Sequence, residues 1–557
     1  MLGRIEVVPS PESPGLAASA MMAIDRGRNV LARRIDTIVG GDSGAIAAAM
    51  VTGKRDLLSD EAREVIREAG IFHIITISGV QMTLVAAIFF IGLRRLLALS
   101  QTLALSYPIK KWAALFAIAG AIFYDIATGS RVGTERALFM TLIMLTSVLL
   151  DRQALTMRNL AIAAALVILI QPEAIMGASF QLSFAAVAAL VAVYEARMTA
   201  AEAGREETFR LGARPVEGER RRMALEILTP HLRRGPLGLL FATFCATSAT
   251  ASFMAYNFHE LSPYVLIGNP LTLTVIEIFA VPGALAGTLL YPLGLDAFVW
   301  RYIGLGIDGV MWAARGIGSW PGSTIHLPAF APWAIVFLSL AVLSSVLWRT
   351  AILRATALPL ATLGLLGAAA GPTFDMAVAP AGDAVAFRAA DGRLAVIGRG
   401  RNSFSTEQWL RADADGRLAS EALTKANCDK LGCVGYLASG RTVALVLDTP
   451  AFAEDCTRAD VIVTPRFAPL GCAAAIVIDR EKLKQTGALT LAFAKDGVVQ
   501  MRAARAADED RPWSPAPNRG WGHAPPLVPA AKDGQNQGTS EEPEPGEPES
   551  DDASPLD

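Results

Sequence analysis

The chain has 557 residues, 52% of them hydrophobic and 18% charged, where a soluble protein would carry roughly a quarter charged. Its mean hydropathy is +0.40 and its formal net charge is −2. These totals exclude an ordinary soluble globule and give no global attraction to nucleic acid, so any binding to an anion must come from locally placed basic groups. They predict an integral membrane protein with a soluble appendage.

Residues 1–70 are soluble in character. Arg26 to Ile38 and Ser59 to Ala69 read as amphipathic helices, the second with Ser59 and Asp60 as start signals. Met1 to Pro14 has no apolar core, so no signal peptide is expected. From Ile71 to about Gly371 apolar runs follow in series. Taking about 20 apolar residues per span, ten are expected, near Ile71–Leu93, Trp112–Gly129, Gly133–Leu150, Asn159–Ile170, Ser179–Tyr194, Pro236–Phe258, Tyr264–Leu290, Ala297–Ile317, Pro328–Trp348 and Ala355–Ala370. The fourth and fifth are short enough to be half-helices.

Basic loop residues set an orientation. If the first span runs inward, the cytoplasmic loops hold Arg94, Arg95, Lys110, Lys111, Arg152, Arg158, the Arg-rich stretch Arg197–Arg234, Arg349 and Arg354. The opposite loops hold Arg131 and Arg136 and little else that is basic. Both chain ends then lie outside the cytoplasm.

After Pro372 the pattern becomes β. DAVAFRAADGRLAVIG alternates around Ala-Asp-Gly, a hairpin signal; RTVALVLDTP, ADVIVTP and AAIVIDR are further strands, and LTLAFAKDGVVQMRA is a second hairpin. Residues 372–505 therefore read as a β-rich α/β soluble domain. Residues 506–557 are acidic and Pro-rich, and are expected to be a disordered tail. Cys428, Cys433, Cys456 and Cys472 lie in the late domain without zinc spacing. They are either small buried residues or form one or two disulfides, which would require that domain to face an oxidising space.

Polar residues inside a bilayer are costly and usually face a bundle interior or a hydrated cavity. The first span carries His73, Thr76, Ser78, Gly79 and Gln81. Tyr124, Asp125, Arg131 and Arg136 crowd the second-to-third connection, where Asp125 would pair with Arg131 or Arg136. The fifth span opens with Gln181 and Ser183. The seventh is expected to break at Gly268, Asn269 and Pro270 and again at Pro282, with Glu277 between. These groups read either as a polar route or as helix–helix hydrogen-bond seams. They do not name a cargo.

The run EAGIFHIITISGVQMTLVA resembles the signature of ComEC-type competence proteins, inner-membrane channels of bacterial DNA uptake. GDSGAIAAAMVTGKRDLLSDE, YDIATGSRVGTERALFM, LIQPEAIMGASFQLSFAAVAAL and IGNPLTLTVIEIFAVP also fit, in the family's order, so the resemblance covers about Asp42 to Ala370. It implies a channel for single-stranded DNA in a bacterial inner membrane, lined by His73, Ser78, Gly79, Gln81, Tyr124, Asp125, Arg131, Arg136, Gln181, Ser183, Asn269 and Glu277. The implied partners are the lipid bilayer, a cytoplasmic DNA-translocating ATPase, an outer-side DNA receptor and further copies of the chain.

Three departures stand out. Gln81 replaces the second histidine of the signature, and an amide neither titrates nor binds metal as imidazole does. The N-terminal helices and OB-like domain of longer members do not fit ahead of residue 71, so either a truncated form or a DNA-docking module supplied from elsewhere is expected. VAPAGDAVAFRAADGRLAVIG is similar to the first hairpin of a metallo-β-lactamase-like domain, yet the H-x-H-x-D-H motif is missing and the only histidine after His326 is His523. Without imidazole ligands a dinuclear site cannot be built, so the late domain is expected to be degenerate. Neither catalytic residues, metal nor cofactor is expected, and no nucleotide-binding loop is present. An ion-coupled small-molecule transporter using Asp125, Glu277 and His73 is the alternative. A membrane enzyme with Ser78 and His73 is a weaker one, because a five-residue offset pairs poorly on a helix.

Overall fold

The computed structural model describes residues 15–74, 79–210, 236–398, 404–423, 427–494 and 498–505. Thr76, Ser78, the part of the Arg-rich stretch from 211 to 235 and the tail from Ala506 lie outside the described residues. The chain is a polytopic α-helical membrane protein with a C-terminal α/β domain.

Helices α1 (Leu16–Val39) and α2 (Gly41–Thr52) form a hairpin. The bend falls on Gly40 and Gly41, at φ +79° and +57°, a region that glycine enters without steric cost. The hairpin closes tightly: a Cβ on Gly44 would lie 3.0 Å from the Asp36 carbonyl oxygen. Ala45 to Met50 of α2 are all buried. Helix α3 (Asp60–Glu68) starts where expected, with the Ser59 hydroxyl accepting from the Ala62 amide and acids in the first turn.

The segment from Ile71 to Leu93 is not one helix. Phe72–Ile74 forms a 3₁₀ turn, and α4 (Gly79–Ala98) begins only at Gly79. There follow α5 (Gln101–Ser106), α6 (Ile109–Thr128), α7 (Val132–Leu149), α8 (Met157–Ile170), α9 (Ala178–Arg210) and α10 (Pro236–Phe258). Then come a short strand β1 (Glu260–Leu261), α11 (Val265–Val275), a π-helical stretch Ile276–Ala280 and α12 (Val281–Leu290). Helix α13 (Ala297–Gly318), β2 (Ile325–His326), α14 (Pro332–Leu347), α15 (Ala351–Ala355) and α16 (Ala357–Ala369) complete this part.

Among the described residues seven helical segments are long and apolar enough to cross a membrane. They are α4, α6, α7, Ala178–Thr199 of α9, Leu237–Phe258 of α10, Val265–Leu293 and Ala351–Ala369. Three of the ten expected spans fall outside this set. Helices α8 and α14 have only 14 and 16 residues, or about 21 and 24 Å against a hydrocarbon core of about 30 Å. Helix α13 is long enough but carries Arg301, Asp308 and Arg315, and it packs on the N-terminal helices.

The seventh span also differs from expectation. Helix α11 runs through Gly268, Asn269 and Pro270. The hydroxyls of Thr272 and Thr274 donate to the Gly268 and Pro270 carbonyls, at 2.5 and 2.7 Å. The irregularity lies later, in the π turn just before Pro282, whose ring cannot supply the amide that a regular helix needs.

Helix α13 is the central post of the membrane part. Trp300, Ile303, Ile307 and Met311 pack with Ile35 of α1, Ile46 of α2, Ile66 of α3 and Ala280. Gly287 lets α12 close on it: a Cβ there would lie 2.5 Å from the Trp300 ring.

The C-terminal domain stacks two five-stranded sheets. The first is antiparallel, ordered β12 (Val499–Ala503), β11 (Leu489–Phe493), β3 (Met376–Val378), β4 (Ala384–Arg388), β5 (Leu394–Gly398). The second is mixed, ordered β10 (Ile476–Ile478), β9 (Val461–Val463), β8 (Thr442–Val446), β7 (Gly432–Tyr436), β6 (Asn427–Cys428). Strand alternation builds the layers. Val385 and Phe387 face Val443 and Leu445 across the sandwich. Ala384 and Ala386 face Trp409 and Leu410 of α17 (Phe404–Ala412), while Ala444 and Val446 face Phe452 and Cys456 of α18 (Phe452–Arg458). A further helix, α19 (Arg480–Thr486), follows β10.

The two parts meet at β1–β2. Arg411 reaches Glu260 at 3.6 Å, and the Ala329 amide donates to the Ala412 carbonyl at 2.8 Å.

Candidate functional site

The expected site residues fall into separate groups rather than one lining. Gln81 is buried at the start of α4 and lines a small pocket with Tyr124 of α6, Met50 of α2 and Val281 and Ala284 of α12. The pocket has room for about one water. His73 lies half-buried in the 3₁₀ turn, so it does not share a continuous helix face with Gln81. Gly79 opens α4, and a Cβ there would make only ordinary contact with Ala137 at 3.8 Å. Glu277 sits in the π turn that leads to the pocket wall at Ala280 and Val281.

Asp125 is buried and bonds neither Arg131 nor Arg136, contrary to the expectation from spacing. One carboxylate oxygen accepts from the Ser130 hydroxyl at 2.8 Å, and the other is buried without a hydrogen bond. The Asp125 carbonyl accepts the amides of Gly129 and Ser130, so this residue closes the end of α6. A short turn through Gly129, at φ +93°, and Ser130 then leads into α7.

Arg136 is buried in α7 and donates to the Ser179 hydroxyl at the start of α9; its Nε has no hydrogen bond. Two residues further on, Gln181 accepts from Asn257 of α10 at 3.1 Å and donates to the Ile175 carbonyl at 3.1 Å. Ser183 is half-buried one turn along α9. Asn269 in α11 keeps a buried side-chain oxygen without a hydrogen bond. Ser179 was missed from the sequence, although it stands in the same SFQLSF run as Gln181 and Ser183.

A second group was also missed. Arg28 of α1 donates to the Thr52 carbonyl from two nitrogens, at 3.0 and 2.9 Å, and to the Thr128 carbonyl at 2.7 Å. It thereby ties the end of α2 to the end of α6. Asp25 accepts from Arg28 at 3.1 Å and from Lys54 at 2.7 Å. Arg55 and the exposed Arg131, which begins α7, stand beside this clasp. No signal in the N-terminal sequence marks it, because its partners are carbonyls of distant helix ends.

The four late cysteines are paired. Cys428–Cys433 joins neighbouring strands β6 and β7, and Cys456–Cys472 ties α18 to the connection after β9. Cys245 of α10 is free.

The fold and these buried polar contacts define a multi-pass membrane protein whose helices carry hydrogen-bonding groups into an apolar bundle, with a sandwich domain attached. A family model described as Competence protein matches residues 50–351, more than half of the chain, and the chain belongs to that family. Competence protein ComA of Neisseria gonorrhoeae is 28% identical over 230 residues, which is 41% of this chain and 30% of that protein. The chain therefore matches less than a third of the length of this curated relative. No solved structure matches it.

Proposed function

We propose that the membrane part passes single-stranded DNA across a bacterial inner membrane during natural competence. The observation that carries this reading is the set of polar groups placed between apolar helices of a competence-family domain: buried Gln81 beside Tyr124, buried Arg136 bonded to Ser179, and half-buried Gln181 bonded to Asn257. A polyanion moving through a bilayer needs hydrogen-bond donors that hold phosphate without trapping it, and amides, hydroxyls and a few guanidiniums are suited to that. The strand would be drawn inward by a cytoplasmic ATPase and delivered by an outer-side receptor. The C-terminal domain would face the periplasm or cell exterior, as its two disulfides favour, and would be non-catalytic. The transporter alternative gains nothing from Asp125, whose contacts serve the α6 turn.

The test is uptake of labelled DNA into the cytoplasm of a deletion strain complemented with this chain. Entry with the parent and loss with Arg136→Ala supports the reading. Surface binding without entry, in cells where an established family member restores uptake, sinks it.

A further inference from the structure

Arg28 is a clasp, and its consequence lies in what it brings together. It fixes the carbonyl of Thr52, three residues before Arg55, and the carbonyl of Thr128, three residues before Arg131. The clasp thus draws together two loops far apart in sequence, each of which carries a guanidinium, and Arg131 lies within electrostatic reach of both Arg55 and Arg28. Glycine is required at the crossing: Gly129 has φ +93°, and a Cβ there would collide with the Arg28 guanidinium. Arg28 itself is satisfied by carbonyls and Asp25, and Lys54 by Asp25. Arg55 and Arg131 are different. Among the described residues neither has a carboxylate within 4.0 Å, and Arg55 keeps a buried Nε with no acceptor. Burial, and then the nearby charge of Arg131, lower the pKa of Arg55; for Arg28 burial lowers it, Asp25 opposes this, and Arg131 adds a smaller push downward. Guanidiniums within electrostatic reach and without a counter-ion repel each other, and an arriving anion relieves that repulsion.

We propose that Arg55 and Arg131, held together by the Arg28 clasp, form a phosphate grip that takes the backbone of an incoming single DNA strand at the α6–α7 end of the membrane part. This rests on the DNA-passage reading above. Planar guanidiniums bind phosphate oxygens in pairs, and such contacts are independent of base sequence.

The test uses the full chain in phosphatidylcholine nanodiscs and a fluorescent single-stranded oligonucleotide, with DNA uptake scored in complemented cells. Arg55→Gln and Arg131→Gln are each expected to weaken binding about tenfold and to lower the slope of log affinity against log salt by about 0.7. Arg152→Gln, in the α7–α8 connection, is the control and is expected to bind as the parent does. If the parent binds and takes up DNA while both variants match it in affinity and slope, the grip is overturned and the passage reading survives. If the parent neither binds nor takes up DNA, both fall. If the variants alter only retention of phosphatidylglycerol in mixed nanodiscs, the cluster is a lipid-headgroup site and the proposal is overturned.

Discussion

Arg34 of α1 and Asp296 before α13 meet as a two-pronged ion pair, at 2.7 and 2.8 Å, across 262 positions of sequence. Asp296 is fully buried and also accepts from the Trp300 indole at 2.8 Å. The bond from Arg34, opposed by burial and aided by Trp300, pulls its pKa down from 3.8 to about 2. A carboxylate with a depressed pKa stabilises the fold fully above its unfolded value of about 4, and that contribution is lost as pH falls towards 2. Detergent-solubilised parent should therefore lose thermal stability over that window more steeply than Asp296→Asn, which should start from a lower melting temperature. Parallel pH profiles for the two would contradict this.

Gly287 and Gly309 make a paired test of packing. At Gly287 an alanine must push on the Trp300 ring, and the expected cost is about 1–3 kcal/mol. At Gly309 of α13 a Cβ meets nothing within 4 Å, so the ordinary helix preference for alanine should stabilise by about 0.5–1 kcal/mol. Melting temperatures of the two variants should move in opposite directions.

Ser179→Ala removes the acceptor of a buried guanidinium. Leaving Arg136 without that bond should cost about 1–3 kcal/mol. Ser179→Thr keeps the hydroxyl and should recover most of it, which a melt of both variants would check.

The Cys456–Cys472 bridge closes 16 positions of chain around the buried Cys456. Replacing both cysteines by serine should lower the stability of the C-terminal domain by about 3 kcal/mol. Limited proteolysis with and without reductant should give a larger difference on the parent than on the variant, which keeps only Cys428–Cys433.

His259 links the two parts of the chain. Its carbonyl accepts the Leu327 amide at 2.8 Å, and it stands beside Glu260, which pairs with Arg411 and lies opposite His326 in the β1–β2 ladder. Burial, and then the charge of Arg411, lower its pKa below 6.5. A histidine kept neutral by the fold contributes fully above about pH 6.5 and costs stability as the pH drops below it. Hydrogen exchange at Ala329 should rise below that pH in the parent and rise less in His259→Gln.

Much of the architecture was legible where the signal is local. Ser59 with Asp60 marks the start of α3 because capping needs only neighbours. The Ala-Asp-Gly turn marks β4–β5, and the inward set of β8 follows from alternation. Errors arose where the deciding contact was remote or compensated. Pro270 signals a break, yet the Thr272 and Thr274 hydroxyls donate to neighbouring carbonyls and α11 continues. Asp125 and Arg131 have a plausible spacing for a pair, but Ser130 is nearer and the turn holds the acid there. Helix α2 shows no amphipathic contrast because every side of its small-residue run is buried.

That burial has a consequence for biogenesis. Helix α2 leaves the ribosome before α4 to α13, yet Ile46 and Met50 pack against Val310 and Met311 of a helix made some 260 residues later. Its apolar surface therefore waits, unsheltered, through the insertion of most of the spans. Contacts between such distant positions form late and slowly. The N-terminal hairpin is thus the keystone set last, and a chain interrupted before α13 would be left displaying it to chaperones and proteases.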